Sequence, residues 1–101
     1  MNWKRLVKRI PHLVQVTSKV SYEILYTPKI VDVVECLGTT RIDYKQIRLK
    51  NDQTPKSLVH TYIHEVVHAF SEEYDIDLTE KQVRAIEKAL YYILKEGNIL
   101  T

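Results

Sequence analysis

The sequence predicts an α+β fold: a small antiparallel sheet packed against two C-terminal helices, with a short helix in front of them. Three observations carry that expectation. The middle third holds short runs rich in β-branched and aromatic residues that alternate with period two. The last half holds two long stretches with apolar residues at helical spacing, each opened by a capping residue. The length, 101 residues, suits a single domain around one core, spanning 1–101.

At the start, Trp3, Leu6, Val7 and Ile10 recur at helical spacing, with Lys4, Arg5, Lys8 and Arg9 on the other face. A basic amphipathic helix can serve a membrane surface or a nucleic acid. At under three turns, this one is expected instead to pack on the body with its cations solvated. Pro11 ends it. Residues 20–27 read as a strand closed by Pro28. Residues 30–36 are apolar but too short to separate strand from helical turn. Gly38 breaks the chain. Thr40, Ile42 and Tyr44 then alternate with Arg41 and Asp43, and Ile47 and Leu49 with Arg48 and Lys50. That pattern is a hairpin with a tight connection near Lys45.

The helical half begins after a polar loop, Asn51-Asp52-Gln53. Thr54 is the expected N-cap and Pro55 the first helical residue, with the helix running to about Glu72 or Glu73. An acidic loop leads to Asp77. Thr79 and Gln82 then form a capping box, and Leu78 can staple onto Val83. Val83, Ile86, Leu90, Ile93 and Leu94 make the expected buried stripe, and Gly97-Asn98 stop the helix.

Composition narrows the class. Hydrophobic residues at 45% and charged residues at 28% are those of a globular protein, not of a disordered tail. The one cysteine, Cys36, excludes an intramolecular disulfide framework and a Cys-rich zinc finger, and it fits the reducing cytoplasm. A net charge of +2 does not call for a nucleic-acid partner. The N-terminus lacks the apolar run of a signal peptide, and nothing approaches the roughly 20 apolar residues of a membrane span.

Residues 64–68 read His-Glu-Val-Val-His, the H-E-x-x-H pattern. On a helix, residues four apart differ by roughly 40° around the axis and about 6 Å along it. Imidazoles at His64 and His68 therefore point the same way and can reach one zinc ion at about 2.0–2.1 Å. Glu65 lies roughly 60° from His68, beside the ion, where a general base for an activated water belongs. Leu58, Val59, Tyr62, Ile63, Val66, Val67, Ala69 and Phe70 occupy one arc of the helix, the expected core face. His64, Glu65 and His68 share the opposite arc with Ser57, Thr61 and Glu72, open to a ligand or to water. The competing reading is two exposed histidines on a solvated face; the specificity of the motif within a well-marked helix favours a metal site.

The ion needs a third ligand. His60 lies about 12 Å along the axis from His68 and cannot share it; it and His12 read as surface residues. Glu80 opens the last helix and Glu87 follows seven residues later on nearly the same face. Glu80 is the first candidate and Glu87 the second, ahead of Glu72, Glu73, Asp75 and Asp77 in the loop. Either glutamate has an ordinary alternative role, Glu80 at the helix dipole and Glu87 at the core edge.

In these residues the chain resembles the minimal zincin-like metallopeptidases of phages and mobile elements, relatives of the ImmA/IrrE group within the gluzincins. The resemblance runs from about Arg9 to Asn98. It rests on Ile10-Pro11, on Gly38 followed by a hairpin ending Gln46-Ile-Arg-Leu49, and on the helix Tyr62-Ile-His-Glu-Val-Val-His-Ala-Phe70. The Leu78-Thr-Glu-Lys-Gln-Val83 helix opening, Leu90 and Asn98 complete it. Only the H-E-x-x-H core is specific. It implies a zinc ion held by His64, His68 and a downstream glutamate, with Glu65 as base. The glutamate of the opening turn matches Glu80 best. The commoner ImmA-type glutamate sits deeper in a helix, and Glu87-Lys88-Ala89 fits it poorly. Some larger relatives cleave repressor proteins.

Two functions follow as expectations. The first is a zinc peptidase whose protein or peptide substrate adds to the edge of the sheet, with Tyr74, Tyr91, Tyr92 or His60 as oxyanion donor. The second is a phage or mobile-element accessory protein that keeps the zincin scaffold and acts by binding a host protein.

Overall fold

The computed structural model describes residues 3–28 and 36–96. In chain order they form α1 (Trp3–Lys8), β1 (Leu13–Gln15), β2 (Ser21–Thr27), β3 (Gly38–Arg41), β4 (Gln46–Lys50), α2 (Pro55–Glu73) and α3 (Glu80–Lys95). The fold is α+β, as the patterning predicts. Of the expected run at 30–36 only Cys36 is among the described residues, and the helix stop at Gly97-Asn98 lies outside them.

The four strands lie in the order β1-β2-β4-β3. Both outer pairs are antiparallel, and the central pair, β2 with β4, is parallel with Ile24 opposite Ile47. Alternation sets the faces. Tyr22, Ile24, Ile47 and Leu49 are buried beneath α2, whereas the intervening Glu23 points to solvent. The hairpin is shorter than its alternation suggests. β3 ends at Arg41, and residues 42–45 turn, with Lys45 at φ 53° and its N–H donating to the Ile42 carbonyl. Tyr44 is therefore 68% exposed at the turn rather than on a strand face. Gly38, expected to break the chain, instead begins β3. The three-residue β1 was not anticipated, because one partly buried residue, Val14, is too little alternation to read.

Helix α2 is buried on two sides. Leu58 and Ala69, with Tyr62 and Val66, pack on the sheet residues Tyr22, Ile24, Ile47 and Leu49. Val59, Ile63 and Val67 pack instead on Val83 of α3, with Trp3 and Leu6 of α1 closing that cluster. The short N-terminal helix thus packs on the body, and Lys4, Arg5, Lys8 and Arg9 are exposed. Two expected core residues turn outward: Phe70 is 40% and Ile86 36% exposed. Phe70 rests on Tyr74 instead. The inner face of α3 runs through Val83, Leu90, Tyr91 and Leu94, and Ile86 lies about 60° off Val83, on the other side of that arc from Tyr91.

The helix ends follow the sequence closely. Thr54 accepts the Ser57 N–H at 3.2 Å. At α3 the Thr79 hydroxyl accepts the Gln82 N–H at 3.2 Å and Gln82 accepts the Thr79 N–H at 2.9 Å, a complete capping box. Leu78 packs on the cluster that contains Val83, as a staple should. Among the described residues no helix is long and apolar enough to cross a membrane.

The last turn of α2 is tied to the sheet by polar contacts. The Tyr22 hydroxyl and the Lys45 ammonium each donate to Glu73 Oε2, both at 2.6 Å. Lys45, and then Tyr22, hold the Glu73 carboxyl below the usual carboxylate range. Because the folded-state value is depressed, the stability it contributes is present above the unfolded value of about 4.3 and is lost as pH falls through the folded value. Glu73→Gln is expected to remove that part of the acid dependence, measured as urea stability across a pH series. An identical acid limb in both proteins would refute this role for Glu73.

Candidate metal centre

One turn of α2 sets the two histidines side by side, their Nε2 atoms 3.2 Å apart. Glu80, the first residue of α3, closes the group from the facing helix. Its Oε1 lies 2.9 Å from His68 Nε2 and its Oε2 3.6 Å from His64 Nε2. One ligand atom from each of the three residues falls within a 4.8 Å cluster. Ligand atoms at 2.0–2.1 Å from a tetrahedral ion stand about 3.3–3.4 Å apart; the two imidazole nitrogens, 3.2 Å apart, are close to that spacing, and one oxygen of Glu80 faces each of them. Two imidazoles and one carboxylate are also the donor set of catalytic zinc sites. The residues fit zinc.

Glu87 stands outside the His64–His68–Glu80 cluster. Its Oε1 lies 2.8 Å from His64 Nδ1, the nitrogen turned away from His68, and its Oε2 lies 3.0 Å from His60 Nδ1. A carboxylate can only accept, so this contact calls for a proton on His64 Nδ1, and in the neutral ring that is the tautomer whose Nε2 has its lone pair free for an ion. His60, read from sequence as a surface residue, is partly buried in this network. Glu72 reaches only the margin of the site, beside His68. Glu73 belongs to the Tyr22–Lys45 contact, and Asp75 and Asp77 are exposed and outside the cluster.

Glu65 is placed differently from the open polar arc expected. It is 8% exposed, because the β3 edge covers it. The Thr40 hydroxyl is 2.9 Å from Glu65 Oε1 and 3.0 Å from the Glu65 carbonyl oxygen, pinning side chain and backbone together. Burial pushes the Glu65 carboxyl up, against the opposing pulls of the Thr40 hydrogen bond and of the two histidines.

The approach of β3 depends on Gly38. A Cβ there would stand 2.5 Å from Thr61 Cγ2, 3.2 Å from Glu65 Cγ and 3.3 Å from the Arg48 carbonyl oxygen. Thr61 cannot readily turn aside, since its hydroxyl donates to the Ser57 carbonyl at 2.8 Å and lies 3.1 Å from Gln53 Oε1. Alternation in β3 hinted that Thr40 has a facing partner, but nothing in the sequence says that the partner is Glu65.

Two hollows flank Glu65 along β3. One, of about 380 Å³, lies between Leu37-Gly38 and the His60, Thr61 and His64 side of α2. The other, of about 250 Å³, lies between Thr39, Thr40 and Ile42 and the His68 and Glu72 side. Of the four expected oxyanion donors, His60 lines the first hollow; Tyr91 packs on Trp3, and Tyr74 and Tyr92 are exposed. Comparison with protein-family models, with curated proteins and with solved structures finds no match for the chain.

Gly38→Ala is expected to cost about 1–3 kcal/mol, as other overpacked sites do. Adding Thr61→Ser, which removes the crowded methyl, recovers part of that loss. Urea denaturation of the single and double variants measures both, and equal stability of the two would show that the Thr61 contact is not the cause.

Proposed function

We propose that the chain is a zinc-dependent peptidase of the zincin type, related to the ImmA/IrrE group, acting on a protein or peptide substrate in the cytoplasm. The observation that supports it most is the convergence of His64, His68 and Glu80 on one point, with Glu65 beside it on the same helix. The zincin reading accounts for all four residues at once. A solvated-face reading leaves the covered glutamate without a purpose.

When bound by His64, His68 and Glu80, zinc supplies Lewis-acid polarisation of the scissile carbonyl and lowers the pKa of the attacking water. The chain's own residues do the rest. β3 ends the sheet among the described strands, so its outer edge can take an extended peptide as an added strand, with residues on either side of the cleaved bond over the two hollows. Glu65 accepts the proton of the attacking water and passes it to the leaving amine. Burial raises its affinity for that proton, the direction a general base working near neutral pH needs. The Thr40 hydroxyl holds one carboxylate oxygen and leaves the other to take the proton. Glu87 holds His64 in the tautomer that can bind the metal.

Metal analysis of the purified protein is expected to find one zinc per chain, lost in His64→Ala and His68→Ala and weakened in Glu80→Gln. Glu65→Gln is expected to retain zinc while hydrolysis falls by roughly 10²–10⁴-fold. A protein that takes up no zinc on titration at neutral pH would overturn the proposal. A biological effect that survives Glu65→Gln with zinc bound would point instead to a scaffold that acts by binding a host protein.

A further inference from the structure

The hydrogen bonds of the metal centre do not stop at Glu87. Its two oxygens are shared between two histidines one turn apart on α2, His64 at 2.8 Å and His60 at 3.0 Å. His60 is held in turn by aromatic rings. Its ring centroid is 5.9 Å from that of Trp3 and 4.6 Å from that of Tyr91. Trp3 and Tyr91 stack on each other with centroids 5.3 Å apart and planes within 5°. A continuous line of contacts therefore runs from the N-terminal helix to a metal ligand.

We infer that His60 is a positioning residue of the metal centre: its Nδ1–H fixes the Glu87 carboxylate so that Glu87 holds His64 with the proton on Nδ1 and Nε2 free. This rests on the reading of His64 as a metal ligand. A carboxylate gripped at one oxygen can rotate about its last bond and release His64, whereas one gripped at both oxygens cannot. An imidazole without such a partner keeps its proton mainly on Nε2, the atom the metal needs. The aromatic rings set the angle of the His60 ring, so α1 takes part in the site as well as in the core.

Two substitutions separate positioning from packing. His60→Phe keeps a ring between Trp3 and Tyr91 but removes the N–H. His60→Asn removes the ring but keeps an N–H near the Nδ1 position. The first readout needs no metal: imidazole ¹⁵N NMR of the zinc-free protein, at a pH where the ring is neutral, reports which His64 nitrogen carries the proton. The second is zinc affinity by competition with a chelator.

In the wild type and in His60→Asn, His64 is expected to be protonated on Nδ1. In His60→Phe the proton moves largely to Nε2, and zinc affinity falls about tenfold, the lower end of what loss of an outer partner usually costs. An unchanged tautomer and affinity in His60→Phe, or a loss confined to His60→Asn, would overturn the inference in favour of simple packing. If His60→Asn does not fold, the tautomer in His60→Phe decides alone. Zinc uptake by the wild type tests the metal reading separately, because the tautomer is read without zinc.

Discussion

The structure turns on the burial of α2 on two faces that are not opposite each other. Its Leu58–Ala69 face lies on the sheet and its Val59–Val67 face lies on α1 and α3. Each face draws on apolar burial worth about 25 cal/mol per Å². The sector left between the two partners is where His64 and His68 emerge. They are flanked by β3 on one side and α3 on the other because those elements border the two packed faces. A helix buried on one face only would leave the motif on an open surface, and one buried all round would leave no room for an ion.

Electrostatics then decides what can occupy that sector. Glu65 and Glu80 both approach His64 and His68, and Glu87 is shared between His64 and His60. Three carboxylates gathered at one end of a helix pair repel one another, more strongly where burial lowers the dielectric around them. A divalent cation bound by His64, His68 and Glu80 relieves that repulsion and also satisfies the facing lone pairs.

Much of the helical architecture was legible because its signals are local. Thr54-Pro55 and the Thr79–Gln82 box mark helix starts within a few residues, and periodicity orients the faces. Strand pairing was less legible. The parallel partnership of β2 and β4 joins segments more than twenty residues apart, and no local pattern encodes it. That His64 and His68 stand side by side was readable from helix geometry, whereas the sequence offered both Glu80 and Glu87 as the carboxylate that joins them, and it is Glu80 that reaches both Nε2 atoms. The burial of Glu65 was not readable, since it depends on Gly38 admitting a strand from elsewhere. Nor was the tie between His60 and Glu87, whose halves lie on different helices. Helical position alone gives such a histidine no reason to be anything but solvated.

The three clustered residues, His64, His68 and Glu80, come from one helical hairpin, α2 and α3, joined by a short loop. Closing so short a loop costs little chain entropy, so this cluster needs only the two helices to pair. The clamp on Glu65 is of the other kind, because Thr40 and Gly38 reach it only through a strand distant in sequence. The His64–His68–Glu80 cluster therefore depends on local chain closure, and the covering of Glu65 on long-range strand assembly. A change that loosened β3 would thus expose Glu65 while leaving the two histidines and Glu80 where the helical hairpin puts them.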